Sequence, residues 1–432
     1  MKRGLIAAVA LGGLLLVGTP AAQAAVHKDV TVTGAGATFP LNMIEQWKSD
    51  FTKSAGVTIA YTGVGSGAGR TQLIAGTVDY AASDVPASSG AEVDQLKAKY
   101  GDFVYIPFTA GGISVLYNVP GIKDLKLSGP TIAKIFAGTI TSWNDPAIAA
   151  DNGGAGPNLP IQVFVRSDKS GTSGVFTDYL SKAAPAEWSK GKTETFPTDK
   201  GQIGKAGSDG VSNAVKAAPG GIGYAEHSFG VERQLGEVLV KNGAGEFKGP
   251  ETAAVTAALD AATANPDGTL TLNYTTNRPG VYPISTTSYL LVPTRMDPRK
   301  GDNLVTFLNY VLGDGQGKAA ALNYAPVPDG VRRSGQSAVS RINATAAAAA
   351  PAPAPTPTPA AAPAPAPTAP KAAPKSAVAA AAETAPAEQA APDPALASTG
   401  AGSALSAALA GSLLVLGGFG VGVGRKRRAG RL

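Results

Sequence analysis

From Ala344 to about Ala395 the sequence is nearly all Ala and Pro with scattered Thr, and this tract decides what the rest of the chain can be. A run such as PAPAPTPTP cannot bury a core and favours extended polyproline II. At ~3.1 Å per residue, about 50 such residues reach roughly 150 Å, which suits a spacer. Folding is thereby confined to about Val30–Asn343. Roughly 310 residues are many for one core and comfortable for two.

The flanking segments read as targeting signals and stand outside fold reasoning. Lys2 and Arg3 precede an apolar run, Leu5–Val17, and Ala22-Gln23-Ala24 reads as a signal-peptidase site, so residues 1–24 are expected to be a signal peptide. At the other end Leu405–Val423 is apolar or small throughout, and Arg425-Lys426-Arg427-Arg428 follows at once. About 20 residues at ~1.5 Å rise span ~30 Å, the thickness of a bilayer core, with the basic cluster on the cytoplasmic side. Just before this span stands Leu396-Ala397-Ser398-Thr399-Gly400, which resembles the LAxTG sorting signal of actinobacterial cell-wall proteins. The resemblance implies cleavage between Thr399 and Gly400 by a sortase; a plain transmembrane anchor is the alternative.

Charge follows from this division. The formal net charge is +6, but seven of the 37 Lys and Arg lie in the two ends, where no acidic residue stands. The remaining 30 basic residues face 31 acidic ones, so the folded part gives no argument for nucleic acid. The absence of cysteine excludes disulfides, thiolate metal sites, cysteine nucleophiles and a lipoprotein anchor. Only His27 and His227 are available to a His-rich metal site, and no metal or other cofactor is expected.

Within the folded part, strand-like and helix-like segments alternate. VTIAY (57–61), YIPF (105–108), GISVLYNV (112–119), IQVFVR (161–166), GGIGYAE (220–226) and YPISTTSYLLVP (282–293) predict strands. SGPTIAKIFAG (128–138), capped by Ser128, and TSGVFTDYLSK (172–182) predict helices, and 304–324 is helical with a Gly-rich interruption. The alternation predicts an α/β fold with mainly parallel sheets and no internal repeat.

Three Gly- and Ser/Thr-rich turns each precede a helix-like stretch. GAGATFP (34–40) leads into Leu41, Ile44, Trp47 and Phe51 at helical spacing, with Pro40 suited to the first turn. GVGSGAGR (63–70) leads into TQLIAG, and RSDKSGTSG (166–174) into VFTDYL. A helix N-terminus carries unpaired N–H groups and about +0.5 charge; Gly admits close approach, and hydroxyls donate further bonds. Three such ends aimed at one place make a nest for a small tetrahedral oxyanion, whereas each alone is equally an ordinary cap. None is a nucleotide loop: GVGSGAG lacks the P-loop lysine, and Ala68 stands where a dinucleotide turn has its third Gly.

Two charged elements complete the set. Arg166 and Asp168 are spaced by one residue, so Arg166 can pair an oxyanion bidentately while Asp168 orients it. Asp84, in ASDVP (82–86), follows an apolar strand. A carboxylate beside an anion makes sense if the ligand carries a proton, which hydrogen phosphate does and sulfate does not; an unpaired buried acceptor would then reject sulfate. On the residues alone, turn stabilisation by Asp84 and Asp168 is an equal reading.

GAGATFP, YTGVGSGAG, ASDVP, LSGPTIAKIFAGTITSWNDPAI, RSDKSGTSGVFTDYL and PGGIGYAE, in this order over about residues 30–343, closely resemble the phosphate-binding subunit (PstS family) of Pst-type ABC transporters. The resemblance implies a type II periplasmic-binding-protein fold: lobe one from 25–108 and 285–343, lobe two from 109–284, with crossings near Pro107–Gly111 and Pro283–Thr287. It implies phosphate contacts at Ala37, Thr38, Phe39, Ser66, Asp84, Arg166, Ser170, Gly171 and Thr172, with Asp168 holding the arginine. A monomeric, extracellular, high-affinity phosphate-binding protein for uptake follows, with ABC permease subunits and a sortase as partners. Residues 344–395 are its spacer and 396–432 its anchor. Two rival classes are a surface phosphatase, for which no Ser/His/Asp set is visible, and a wall adhesin that kept the fold.

If LASTG is a sorting signal, the protein stays with the wall after detergent extraction and comes free on wall digestion. Thr399→Ala should abolish the wall-bound fraction without changing phosphate affinity. Recovery of all wild-type protein in detergent, basic tail intact by mass spectrometry, would leave a membrane tether instead.

Overall fold

The computed structural model describes residues 26–87 and 90–343. The signal peptide, the spacer, the LASTG string with Thr399 and Gly400, and the C-terminal span lie outside the described residues. Among the described residues no helix is long and apolar enough to cross a membrane.

The chain opens with alternation. Strands β1 (Val32–Gly36), β2 (Ile59–Gly63) and β3 (Tyr80–Ser83) are interleaved with helices α1 (Leu41–Ala55), α2 (Ser66–Ala75) and α3 (Gly90–Tyr100). A 16-residue strand, β4 (Phe103–Asn118), follows. Next come β5 (Lys126–Leu127), α4 (Gly129–Phe136), α5 (Pro146–Asn152), β6 (Gln162–Arg166), α6 (Gly171–Ala183), β7 (Ile203–Lys205), α7 (Gly207–Ala217), β8 (Gly221–Glu226) and α8 (His227–Arg233). Short strands β9 (Gly236–Glu237), β10 (Leu239–Lys241) and β11 (Phe247–Lys248), helix α9 (Thr252–Leu259), and strands β12 (Thr263–Ala264) and β13 (Leu270–Thr271) lead to β14 (Ser285–Pro293). Helix α10 (Pro298–Leu312), two 3-10 turns and α11 (Asp329–Val339) complete the described part.

The main sheet runs β2-β1-β3-β14-β4-β8-β6-β7. Each flank is parallel, β1 with β2 and β3, and β6 with β7 and β8. The centre is antiparallel: Phe103–Gly112 of β4 pairs with β14, and Ile113–Asn118 pairs with β8. Two α/β lobes result, joined by strands that belong to both. YIPF and GISVLYNV are thus one strand, because the Thr109–Gly112 segment between them keeps its pairing to β14. The ladder shifts register where Ser288 faces Thr109 and Tyr289 faces Pro107. Pro107 has no N–H to give, and a bulge accommodates it.

Other departures are local. Ser128 stands at the N-cap of α4, but its hydroxyl turns to Thr131 Oγ1 (2.9 Å) and the Asp151 carboxylate (3.0 Å) rather than to a helix N–H. Asp151 satisfies that end from outside, accepting also from Ser128 N and Thr131 Oγ1. Helix α2 starts at Ser66, inside the glycine-rich turn, so GAGR is already helical. Pro40 sits just before α1 rather than within it; Ile44, Trp47 and Phe51 are buried as their spacing predicts, with Met43 beside them.

Gly69 shows why α2 carries glycine there. A Cβ would stand 2.4 Å from Gly36 Cα and 2.6 Å from Ala35 O, both backbone atoms of β1. Gly69→Ala should therefore force the helix off the strand and cost about 1–3 kcal/mol, lowering the thermal midpoint by several degrees. An unchanged midpoint would show that α2 is free to shift.

Candidate functional site

The three turns meet. Thr38 and Phe39 follow β1, Ser66 opens α2, Asp84 follows β3, Arg166 ends β6, and Ser170 caps α6. Ala37, Thr38, Phe39, Ser66, Asp84, Arg166, Ser170 and Thr172 are all buried. The approach is close enough to demand glycine. A Cβ on Gly171 would stand 2.6 Å from Ser66 Oγ and 2.8 Å from Asp84 N, and one on Gly65 would stand 2.2 Å from Asp168 Oδ2. Gly65 also has φ +90°, which L side chains rarely adopt.

Asp84 is 2 % exposed and is bonded by two hydroxyls. Thr172 Oγ1 donates to Oδ2 and Ser288 Oγ to Oδ1, each at 2.8 Å. Burial pushes this carboxyl up to about 6, against the opposing pull of Ser288, Thr172 and the Arg166 charge. Asp168 takes the fork of Arg166, with Nε to Oδ1 at 2.8 Å and Nη2 to Oδ2 at 2.5 Å. Asp168 thus holds the Nε/Nη2 edge of the guanidinium, and Nη1 turns toward Thr172 Oγ1 at 3.5 Å. Burial works against the Asp168 carboxylate, but Arg166 and the Gly207 N–H outweigh it and hold it below the ordinary range. Ser170 Oγ accepts from Ser173 N at 3.1 Å, so this hydroxyl caps its own helix.

Several participants escape the sequence reading. The N-terminus of α7 forms a fourth helix end: Gly207 N donates to Asp168 (3.1 Å) and Ser208 N to Thr38 Oγ1 (3.1 Å). The string Gly207-Ser208-Asp209 before a helical run was the available signal. Ser288 had none, being one hydroxyl in STTS. Two tyrosines fix the first turn. Tyr61 OH donates to Ala37 O and Tyr324 OH to Phe39 O, each at 2.7 Å. Holding the Ala37 carbonyl sets the peptide plane and leaves the Thr38 N–H on the opposite side. Behind Tyr324, Ser228 bonds the buried Glu226, whose carboxyl burial pushes well above the ordinary range.

Chemically, this is four helix N-termini, an oriented guanidinium and one proton-accepting carboxylate converging in a closed cleft. It suits a small oxyanion that carries a proton. Neither histidine takes part: His27 faces Asp302 and His227 faces Glu237.

Comparison with known proteins agrees in kind. A family model described as a PBP superfamily domain matches residues 19–314. The chain is 36 % identical over 324 residues to phosphate-binding protein PstS2 of Mycobacterium bovis, covering 72 % of this chain and 86 % of that one. The chain belongs to the PstS family of phosphate-binding proteins. A PstS protein of Xylella fastidiosa is 34 % identical over 311 residues, covering 70 % of this chain and 82 % of its own. Among solved structures, a high affinity periplasmic phosphate-binding protein (PfluDING) bound with phosphate superposes with a TM-score of 0.59 at 24 % identity. It covers 71 % of this chain and 93 % of that one. That likeness concerns the fold, which for this PstS chain is the type II periplasmic-binding-protein fold.

The Asp84 geometry has a consequence for stability. A carboxyl raised to about 6 adds stability that is full below about pH 4 and lost as pH rises through 6. Asp84→Asn removes a charge that costs up to roughly 3 kcal/mol at pH 8, and rotatable hydroxyls can face an amide. Without added anion, the variant should melt several degrees above wild type at pH 8 and level with it near pH 4. A variant no more stable at pH 8 would mean the carboxylate carries no such cost.

Proposed function

We propose that this chain captures inorganic phosphate outside the cell for delivery to the permease of an ABC transporter. The observation that carries the reading is Asp84, a buried carboxylate placed among helix N-termini and Arg166. In that setting only an oxyanion bearing a proton can meet both the donors and the acceptor. The relatives named phosphate-binding proteins support it.

In this reading phosphate is held by Ala37, Thr38 and Phe39, by Ser66 and Asp84, and by Arg166, Ser170, Gly171 and Thr172, with Asp168 orienting the arginine. Residues 25–108 and 285–343 act as one lobe and 109–284 as the other, moving about the β4–β14 crossing. The protein is an exported monomer, and the Ala/Pro spacer separates it from a C-terminal wall anchor. Its role is binding rather than catalysis, as for the relatives named phosphate-binding proteins.

Calorimetry at pH 8 and pH 5 tests the reading. At pH 8 phosphate should bind at least 100-fold more tightly than sulfate. Near pH 5, where Asp84 is protonated and can itself donate, the gap should narrow. Arg166→Ala loses a charge-assisted contact of on the order of 1.5–3 kcal/mol, so phosphate affinity should fall roughly tenfold to a hundredfold. Equal affinity for both anions at pH 8, or an Arg166→Ala variant that binds as well as wild type, would overturn it.

A further inference from the structure

Arg70 lies on α2 beside the site yet touches none of the residues assigned to the anion. Its side chain is wholly buried, and each of its three nitrogens is bonded. Nη1 donates to Ser83 Oγ at 2.7 Å, Nη2 to both oxygens of Glu194 at 2.9 and 2.8 Å, and Nε to Glu92 at 2.9 Å. Ser83 and Glu92 share the lobe of Arg70; Glu194 follows α6 in the other lobe.

Each partner leads to the site. Ser83 Oγ donates onward to Val85 O at 2.5 Å, spanning the turn that presents Asp84. Glu194 O accepts from Ser170 N at 2.9 Å, so the Glu194 segment is fastened to the cap of α6. A second cation repeats the arrangement from the opposite side: Lys169 Nζ stands 2.7 Å from Glu92 and 3.7 Å from Glu194. Two cations and two carboxylates thus alternate, one of each per lobe. A cavity of about 460 Å³ lined by Val85, Lys169, Lys192 and Glu194 brings solvent to this edge of the cluster.

We propose that Arg70 is a positioning residue for anion binding, which holds the Asp84 turn and the N-terminus of α6 together by gripping Ser83 and Glu194 at once. Resting on the phosphate reading above, the inference concerns how long the ligand stays rather than what it is. When the lobes part, each keeps one pair of its own, Arg70 with Glu92 and Lys169 with Glu194. Opening therefore breaks only the cross-lobe half of the cluster. The grip should slow release and leave capture by the open cleft nearly untouched.

Stopped-flow measurements on the full chain with inorganic phosphate test this. Arg70→Met and Glu194→Met should each raise the dissociation rate tenfold or more while changing the association rate by less than about threefold. The double variant should release phosphate no faster than the quicker single one, because both remove the same link. Arg70→Lys, which reaches one partner but not three, should recover part of the loss. Added salt should speed release from wild type, and this dependence should flatten in the variants. If Arg70→Met fails to fold, Glu194→Gln, which keeps shape and loses charge, carries the same expectation at severalfold. An unchanged dissociation rate, additive effects in the double variant, or equal losses in both rates would overturn the proposal. Wild type that binds no phosphate would instead overturn the functional reading.

Discussion

A carboxylate buried at the centre of the molecule must be answered by donors, and the arrangement of this protein follows from where the donors of Asp84 come from. Thr172 lies 88 residues ahead in the chain and Ser288 lies 204 ahead. One is on the first turn of α6, the other on the crossing strand β14. Asp84 therefore binds a helix end of one lobe and the hinge itself. Even with both hydroxyls burial pushes its carboxyl up to about 6, so the pair only partly offsets the cost of burial.

The crossing strands also serve the site. β4 and β14 lie side by side, so the two crossings form one paired ribbon. The bulge opposite Pro107 interrupts the ladder close to Ser288, the residue that reaches Asp84. Gly111 allows the ring of Phe39 and the carboxyl of Glu226 to pack directly on β4; a Cβ there would meet them at 3.0 and 3.2 Å. The first anion turn, the crossing strand and the buried acid behind Tyr324 thus form one contact surface.

What the sequence reveals and what it conceals divide along chain distance. The glycine turns, Asp84 and the Arg166–Asp168 pair are readable because their chemistry is local: a helix end, a cap, a two-residue spacing. The strand-helix alternation is readable for the same reason. The partners that pull the lobes together are not: Thr38 finds Ser208 170 residues away, and Arg70 finds Glu194 124 away. Arg70 looks like any polar residue at the end of a glycine turn, and only the fold shows it without solvent. The same limit explains Arg166. Spacing shows that Asp168 can reach it, but only the three-dimensional arrangement shows that Asp168 takes the Nε/Nη2 edge and leaves Nη1 to face Thr172.

The polar links between the lobes are of two kinds, and their placement has a logic. Inside, they are hydroxyls and peptide N–H groups: Thr172 to Asp84, Ser208 to Thr38, and Gly67 N to Lys169 O at 2.9 Å. The neutral bonds contribute about 1 kcal/mol each and the one to the carboxylate about 1.5–3, and water can satisfy the same groups when they part. At the rim they are ions, and the outer one, Lys169, is 43 % exposed, so its Coulomb attraction is weakened by solvent. Neither kind locks the cleft. A binding protein needs this restraint, because a ligand shifts an opening equilibrium only by its differential contacts with the two forms. Were the closed form held by a large apolar interface, no small ion could decide between open and shut. Here the hydroxyl, peptide and ion links stand beside an apolar contact, Leu41 on the cluster of Phe164, Val211 and Phe229, so the lobes meet over a mixed surface on which the contacts of a small ion still count.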